Sequence, residues 1–252
     1  MAIFRLRVLV ELRSYYQDNL FGIVWLILEP LLLLCVYAFV FTYIFIDRGS
    51  ETGVSFIAHL ALAMWPWLAF SQSIAKCTTL ISDLSGVFKR NNVDKRQYII
   101  ARVTATYFVN YIPYFLVLII LHFFVNELYL LNIWVLLPII LLLWMSSISI
   151  AFIISSTCVF IRDLKTIIPV ILTMLFFATP IIWAGNMLPE NYQFFLNINP
   201  LAISIESLRA ALLFDEIKFN IQYIYIVSAV VLLYVVSNWY FQRLSPFTEE
   251  FS

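Results

Sequence analysis

Apolar residues run through this chain in long blocks separated by short polar stretches, without the alternation that marks a half-buried strand. A bilayer core of about 30 Å takes roughly 20 apolar residues as a helix. Residues 20–46 are apolar except for Glu29, residues 54–75 are uncharged up to Lys76, and 103–125 follow. The uncharged stretch between Glu127 and Arg162 exceeds one span, and Asn132 and Pro138 favour a start near Ile133. Residues 166 to about 184 and 220–241 complete six blocks. The pattern predicts an all-α integral membrane protein of six transmembrane helices, a single transmembrane domain over 1–252.

Three further segments carry their own patterns. In 1–19, Phe4, Val8, Leu12 and Tyr16 form an i, i+4 ridge flanked by arginines, which predicts an interfacial helix. Glu11 lies close to that ridge and spoils it. Charges scattered through the same residues leave no apolar core for a cleavable signal peptide. Segment 82–97 is polar, mixed in charge and interspersed with Leu84, Val87 and Phe88, so a short helix is expected; a solvated loop that only sets topology is the alternative. Segment 185–219 is too short for two more spans. Its residues 203–214 are helical in character, with Asn199 as cap, Pro200 opening the helix, and Glu206 and Arg209 at i, i+3. A helix pair dipping into the membrane interface is expected there.

Composition changes the picture only by excluding alternatives. Hydrophobic residues are 63% and charged residues 12%, against roughly 45–50% and about 25% in soluble domains. Fifteen basic and fifteen acidic residues cancel, so net charge advertises no nucleic-acid surface. Sidedness is another matter. With both termini on one side, that side receives Arg5, Arg7, Arg13, Lys76, Lys89, Arg90, Lys95, Arg96, Arg102, Arg162, Lys165 and Arg243. The other receives Arg48, Arg209 and Lys218, so both termini are expected in the cytoplasm.

Candidate chemistry is sparse. Cys35, Cys77 and Cys158 are far apart, and His59 and His122 are the only histidines, so neither a disulfide framework nor a metal site is expected. No GxxxxGK[ST], HExxH or GxSxG pattern occurs. Glu29, followed by Pro30, is an intramembrane carboxylate and a gating candidate; it also lies near enough to one end of its span to sit at the interface. Trp25, Tyr37 and Tyr43 line the first span, while Trp65 and Trp67, around Pro66 in the middle of the second, are not interfacial-belt positions. Aromatic faces in a pathway could stack on sugars, and plain packing between helices is the competing explanation.

Four motifs then carry a resemblance. Leu20, Gly22, Trp25 and Glu29 with Pro30 resemble the first-span signature of polysaccharide-export ABC-2 permeases, with Phe21 inserted between Leu20 and Gly22 and Glu29 in place of the commoner Asn. Pro66, Trp67, Phe70, Ser71 and Lys76 resemble that family's second-span segment. Phe160, Arg162 and Asp163 resemble its aromatic-x-Arg-Asp loop, and Asn199, Pro200, Leu201, Glu206 and Arg209 its region before the last span. The motifs occur in the family's order along nearly the whole chain.

The resemblance implies a homodimer with two ATP-binding subunits on the cytoplasmic face, which use ATP and magnesium; this chain binds no cofactor. Around 82–97 it implies a coupling helix, with Asp83, Lys89, Arg90 and Arg96 contacting the ATPase. The N-terminal helix borders the portal of a lipid-linked polysaccharide such as O-antigen, capsule or teichoic acid, whose phosphates would meet Arg5, Arg7 and Arg13. Segment 185–219 becomes the outer re-entrant closure. Arg162, Asp163, Glu206 and Arg209 join Glu29 as gating candidates, and Trp25, Tyr37, Tyr43, Trp65 and Trp67 line the channel. The competing functions are an ABC-2 permease for a drug or small lipid, a membrane glycosyl- or acyltransferase, and a structural membrane subunit.

Overall fold

The computed structural model describes residues 2–14, 24–40, 55–90, 93–125, 128–217 and 221–248. Among them every regular element is helical. In chain order these are α1 (Ala2–Ser14), α2 (Val24–Phe39), α3 (Phe56–Cys77), α4 (Leu80–Asp83), α5 (Ser85–Arg90), α6 (Lys95–Val125) and α7 (Leu136–Phe160). They continue with α8 (Leu164–Ala178), α9 (Gln193–Ile198), α10 (Pro200–Leu213) and α11 (Ile221–Leu244). One end of the bundle gathers α1, α4, α5, the start of α6 and the chain after α11; it is called the basic end below. α10 sits toward the opposite, far end.

The second apolar block becomes the centre of the molecule. Leu60 through Trp67 are all buried, so α3 has no lipid-facing stripe over that stretch. It packs against α6, α7 and α10, with α2 and α8 also against it. Pro66 deprives the carbonyl of Leu62, one turn earlier, of its helical donor. The hydroxyl of Tyr114 on α6 donates to that carbonyl at 3.3 Å. A proline deep in an apolar bundle is thus tolerated because a neighbouring helix supplies the missing donor.

Small residues let the central helices approach. Ala58, Ala61, Ala63 and Ala69 of α3 are buried, as are Ser146, Ser147, Ser149, Ser155 and Ser156 of α7. Ser146, Ser149 and Ser156 return their hydroxyls to carbonyls four residues back, at 2.8 Å each. Ser147 instead meets the Tyr107 hydroxyl of α6, at 2.8 Å.

The helices differ from the expected blocks in instructive ways. Among the described residues, 95–123, 130–160 and 223–244 are both long and apolar enough to cross a membrane. α3 has 22 residues, but His59, Ser71, Gln72 and Ser73 make it more polar, which protein contacts permit and lipid would not. α8 has 15 residues, or about 23 Å at 1.5 Å per residue, short of the bilayer core. α8 stops at Ala178, not near 184, because Thr179 precedes Pro180 and takes an extended conformation (φ −100°, ψ 140°). α6 begins two turns before the expected 103. Asp94 caps it, its carboxylate accepting the Arg96 amide at 3.0 Å. Arg96 therefore belongs to α6 and not to the short helices α4 (Leu80–Asp83) and α5 (Ser85–Arg90).

The first helix has two apolar faces. Phe4, Val8 and Leu12 pack onto Ala101 and Ala105 of α6. Leu6, Leu9 and Val10 are exposed on the remainder, beside exposed Arg5 and Arg13. Glu11, the residue that spoiled the ridge, has a purpose: its two carboxylate oxygens take Nε and Nη2 of Arg102 at 3.0 and 3.1 Å. Tyr16 lies outside the described residues.

Candidate transport site

The aromatic candidates separate into two groups. Trp65 and Trp67 are two positions apart, about 200° around the helix, so they face different neighbours. Trp65 is fully buried and stacks on Tyr114 (centroids 6.0 Å apart), in a run that continues through Tyr111 to Tyr107 of α6. Trp67 faces the other way. Phe176 of α8 lies 5.8 Å from Trp67 and 6.1 Å from Tyr37 of α2, bringing three helices to one aromatic cluster. Trp25 is partly exposed on α2, twelve residues and therefore about 18 Å before Tyr37. Tyr43 lies outside the described residues.

That cluster borders two open apolar faces. α8 buries a single stripe, Ile168, Leu172 and Phe176, at i, i+4, i+8. Ile167, Val170, Ile171, Met174 and Phe177 are exposed on its other sides. α2 likewise exposes Leu28, Leu32, Leu33, Val36 and Phe39. Glu29 is exposed on α2 and within electrostatic reach of Lys76 at the basic end of α3, so it lies toward that end of the span.

Around Arg209 the structure is closed. Its side chain is 1% exposed. It donates to the His59 carbonyl at 3.1 and 3.0 Å, to the Ile181 carbonyl at 2.8 Å and to the Pro180 carbonyl. Nη1 also meets Glu206 at 3.1 Å, the one partner the i, i+3 spacing predicts. One guanidinium thereby ties α10 to the start of α3 and to the turn after α8. Asn199 caps α10 as expected, accepting the Leu201 amide at 3.0 Å, while its Nδ2 donates to Thr179 at 3.1 Å. At the other end of α10, the last carbonyls are taken from the segment before α7. Asn132 Nδ2 donates to the Ala211 carbonyl at 2.9 Å and the Tyr129 amide to that of Leu212 at 2.9 Å. Asp215, in the left-handed region (φ 56°), accepts a second Asn132 bond at 2.8 Å. Neither Thr179 nor Asn132 was a candidate site residue: the Asn199 cap signal lies beside Thr179, and Asn132 stood out only as the start of the following helix.

At the basic end, Lys89 and Arg90 are exposed on α5, and Asp83 of α4 accepts the Thr79 hydroxyl at 2.7 Å. Arg162 and Asp163 sit exposed in the turn before α8, and the neighbouring Lys165 reaches Ser82 of α4 at 3.1 Å. Lys95 is buried and holds the chain after α11 through the Ser245 carbonyl and the Thr248 hydroxyl, both at 3.0 Å. Of the arginines expected at a substrate portal, Arg5 and Arg13 are exposed; Arg7 lies over the Tyr98 ring at 4.2 Å and donates to Gln97.

The ABC-2 type transporter family matches residues 4–213, most of the chain. This chain belongs to the ABC-2 type transporter family. It is similar to the O-antigen export system permease protein RfbA of Klebsiella pneumoniae, 25% identical over 241 residues that cover 93% of this chain and 88% of the relative. It is also similar to the O-antigen export system permease protein RfbA of Myxococcus xanthus, 24% identical over 249 residues, 95% and 91% of the two chains. As an ABC-2 family member with three membrane-length apolar helices among the described residues, the chain is a multi-pass protein of the bacterial inner membrane. Family membership also makes it a transporter membrane subunit rather than a catalytic enzyme.

Proposed function

We propose that this chain is the permease subunit of an ATP-driven exporter of lipid-linked polysaccharide, acting as a homodimer with two ATP-binding subunits. The observation that carries this reading is its end-to-end similarity to two O-antigen export permeases. In this reading both termini are cytoplasmic, six helical segments traverse or enter the bilayer, and the basic end faces the ATPase through α4, α5 and the turn at Arg162 and Asp163. The open faces of α2 and α8 meet those of the second copy. The path between them runs past the cluster of Tyr37, Trp67 and Phe176, with Trp25 further along α2. Aromatic rings suit a moving glycan, because stacking tolerates any sugar register. Trp65, enclosed on Tyr114, supports α3 from behind. Exposed Arg5 and Arg13 receive the phosphates of the lipid carrier. α10, bonded at both ends, closes the far side.

Deleting the gene from its native host tests the reading. A phosphate-linked lipid glycan should accumulate in the cytoplasm, and an ATP-binding subunit should copurify with the tagged chain. Accumulation of a small lipid alone would favour the drug or lipid permease, and no copurifying ATPase would remove the reading. A cysteine at Ser50 should label from outside the cell and one at Asn91 should not; the reverse pattern would overturn the orientation.

A further inference from the structure

Two side-chain routes join α1 to the segment that the permease reading turns toward the ATPase. The first is polar. Arg102 of α6 takes both oxygens of Glu11 at 3.0 and 3.1 Å and, through Nη1, the carbonyl of Lys76 at 3.3 Å. Lys76 is in the last turn of α3, four residues before α4 begins. Both charged groups are mostly shielded, with side-chain exposures of 18% and 12%, and the fork geometry fixes distance and angle together. The second route is aromatic. The Arg7 guanidinium lies 4.2 Å from the Tyr98 centroid, and the Tyr98 ring meets Phe88 of α5 edge-on at 5.2 Å. Phe88 is the one buried residue of α5, so it is the point where that helix grips the bundle.

These contacts are made at the same end of α6, one turn apart, since Tyr98 and Arg102 are at i, i+4. Between these two routes α1 meets α6 through an apolar seam, in which Val8, Phe4 and Leu12 pack on Ala101 and Ala105. Resting on the permease reading, we propose that Arg102 and Tyr98 are positioning residues that carry displacement of α4 and α5 into α1. Movement of the ATPase-facing helices then shifts the helix bearing Arg5 and Arg13. The Glu11–Arg102 pair acts through the position of α1.

The test uses the full complex with its ATP-binding subunit. ATP hydrolysis is measured on purified complexes, and export in the native host as cell-surface polysaccharide resolved on gels with periodate–silver stain. In Arg102→Ala and Glu11→Gln, hydrolysis should stay within about twofold of the wild type while export falls about tenfold, within the usual range of coupling between sites. The reversed pair, Glu11→Arg with Arg102→Glu, should recover most of the export. Wild-type export in Arg102→Ala would overturn the proposal. So would parallel loss of hydrolysis, export and protein level in both single variants, which is what a purely structural contact gives. A wild-type chain that recruits no ATP-binding subunit would overturn the permease reading and this inference with it. An intact, exporting complex with unchanged coupling in the variants would overturn this inference alone.

Discussion

Helices α3 and α8 are both apolar, both contain a proline and touch each other at Trp67 and Phe176, yet the molecule treats them oppositely. α3 is enclosed: alanines admit its neighbours, Tyr114 satisfies the carbonyl that Pro66 frees, and Arg209 holds the carbonyl of His59 in its first turn. α8 buries three residues and exposes Ile167, Val170, Ile171, Met174 and Phe177. Apolar sequence in a membrane does not by itself specify a partner, since lipid is as apolar as leucine. What distinguishes a helix that belongs to the bundle from one that borders it is the supply of small residues and of polar groups that find partners. On its outward side α8 offers mainly large apolar residues, and the Thr173 hydroxyl there bonds within the helix, to the Pro169 carbonyl at 2.9 Å, so that face stays open.

Five substitutions probe this contrast, with the largest expected effects at Arg209 and Trp65 and the smallest at Phe177. Arg209→Ala removes the group that satisfies three backbone carbonyls at once and leaves them buried. A loss of about 3 kcal/mol or more is expected, read as collapse of the monodisperse peak after detergent extraction. Arg209→Lys keeps the charge but not the fork, and should fall between wild type and alanine. Trp65→Ala should cost about 3–5 kcal/mol, seen as a large drop in thermal unfolding temperature. Phe177→Ala, on the exposed face of α8, should change the isolated subunit by no more than about 0.5 kcal/mol. Equal effects at Trp65 and Phe177 would erase the difference between the two helices. Tyr114→Phe keeps the stack on Trp65 and deletes only the hydroxyl on the Leu62 carbonyl, with an expected loss of about 1 kcal/mol in the same melt.

The sequence held part of this arrangement in readable form. The cap of α10 and the Glu206–Arg209 pair are local, and spacing alone gives them. The carbonyls that Arg209 holds lie 28 to 150 residues away, and no local pattern encodes them. Glu11 was legible only as a flaw in an amphipathic ridge, because its partner is 91 residues on. The opposite faces of Trp65 and Trp67 follow from their spacing, whereas which face meets α2 and α8 required the packing. The early end of α8 could have been read from Thr179 preceding Pro180, had the apolar run not masked it.

The most direct test of the permease reading is whether the open face of α8 meets its own copy. In a Cys35→Ser background, Met174→Cys is treated with a short bifunctional thiol reagent in native membranes, beside Ile224→Cys on the exposed side of α11. The account predicts a crosslinked dimer through position 174 and none through 224. Crosslinking at 224 with position 174 remaining monomeric would contradict it.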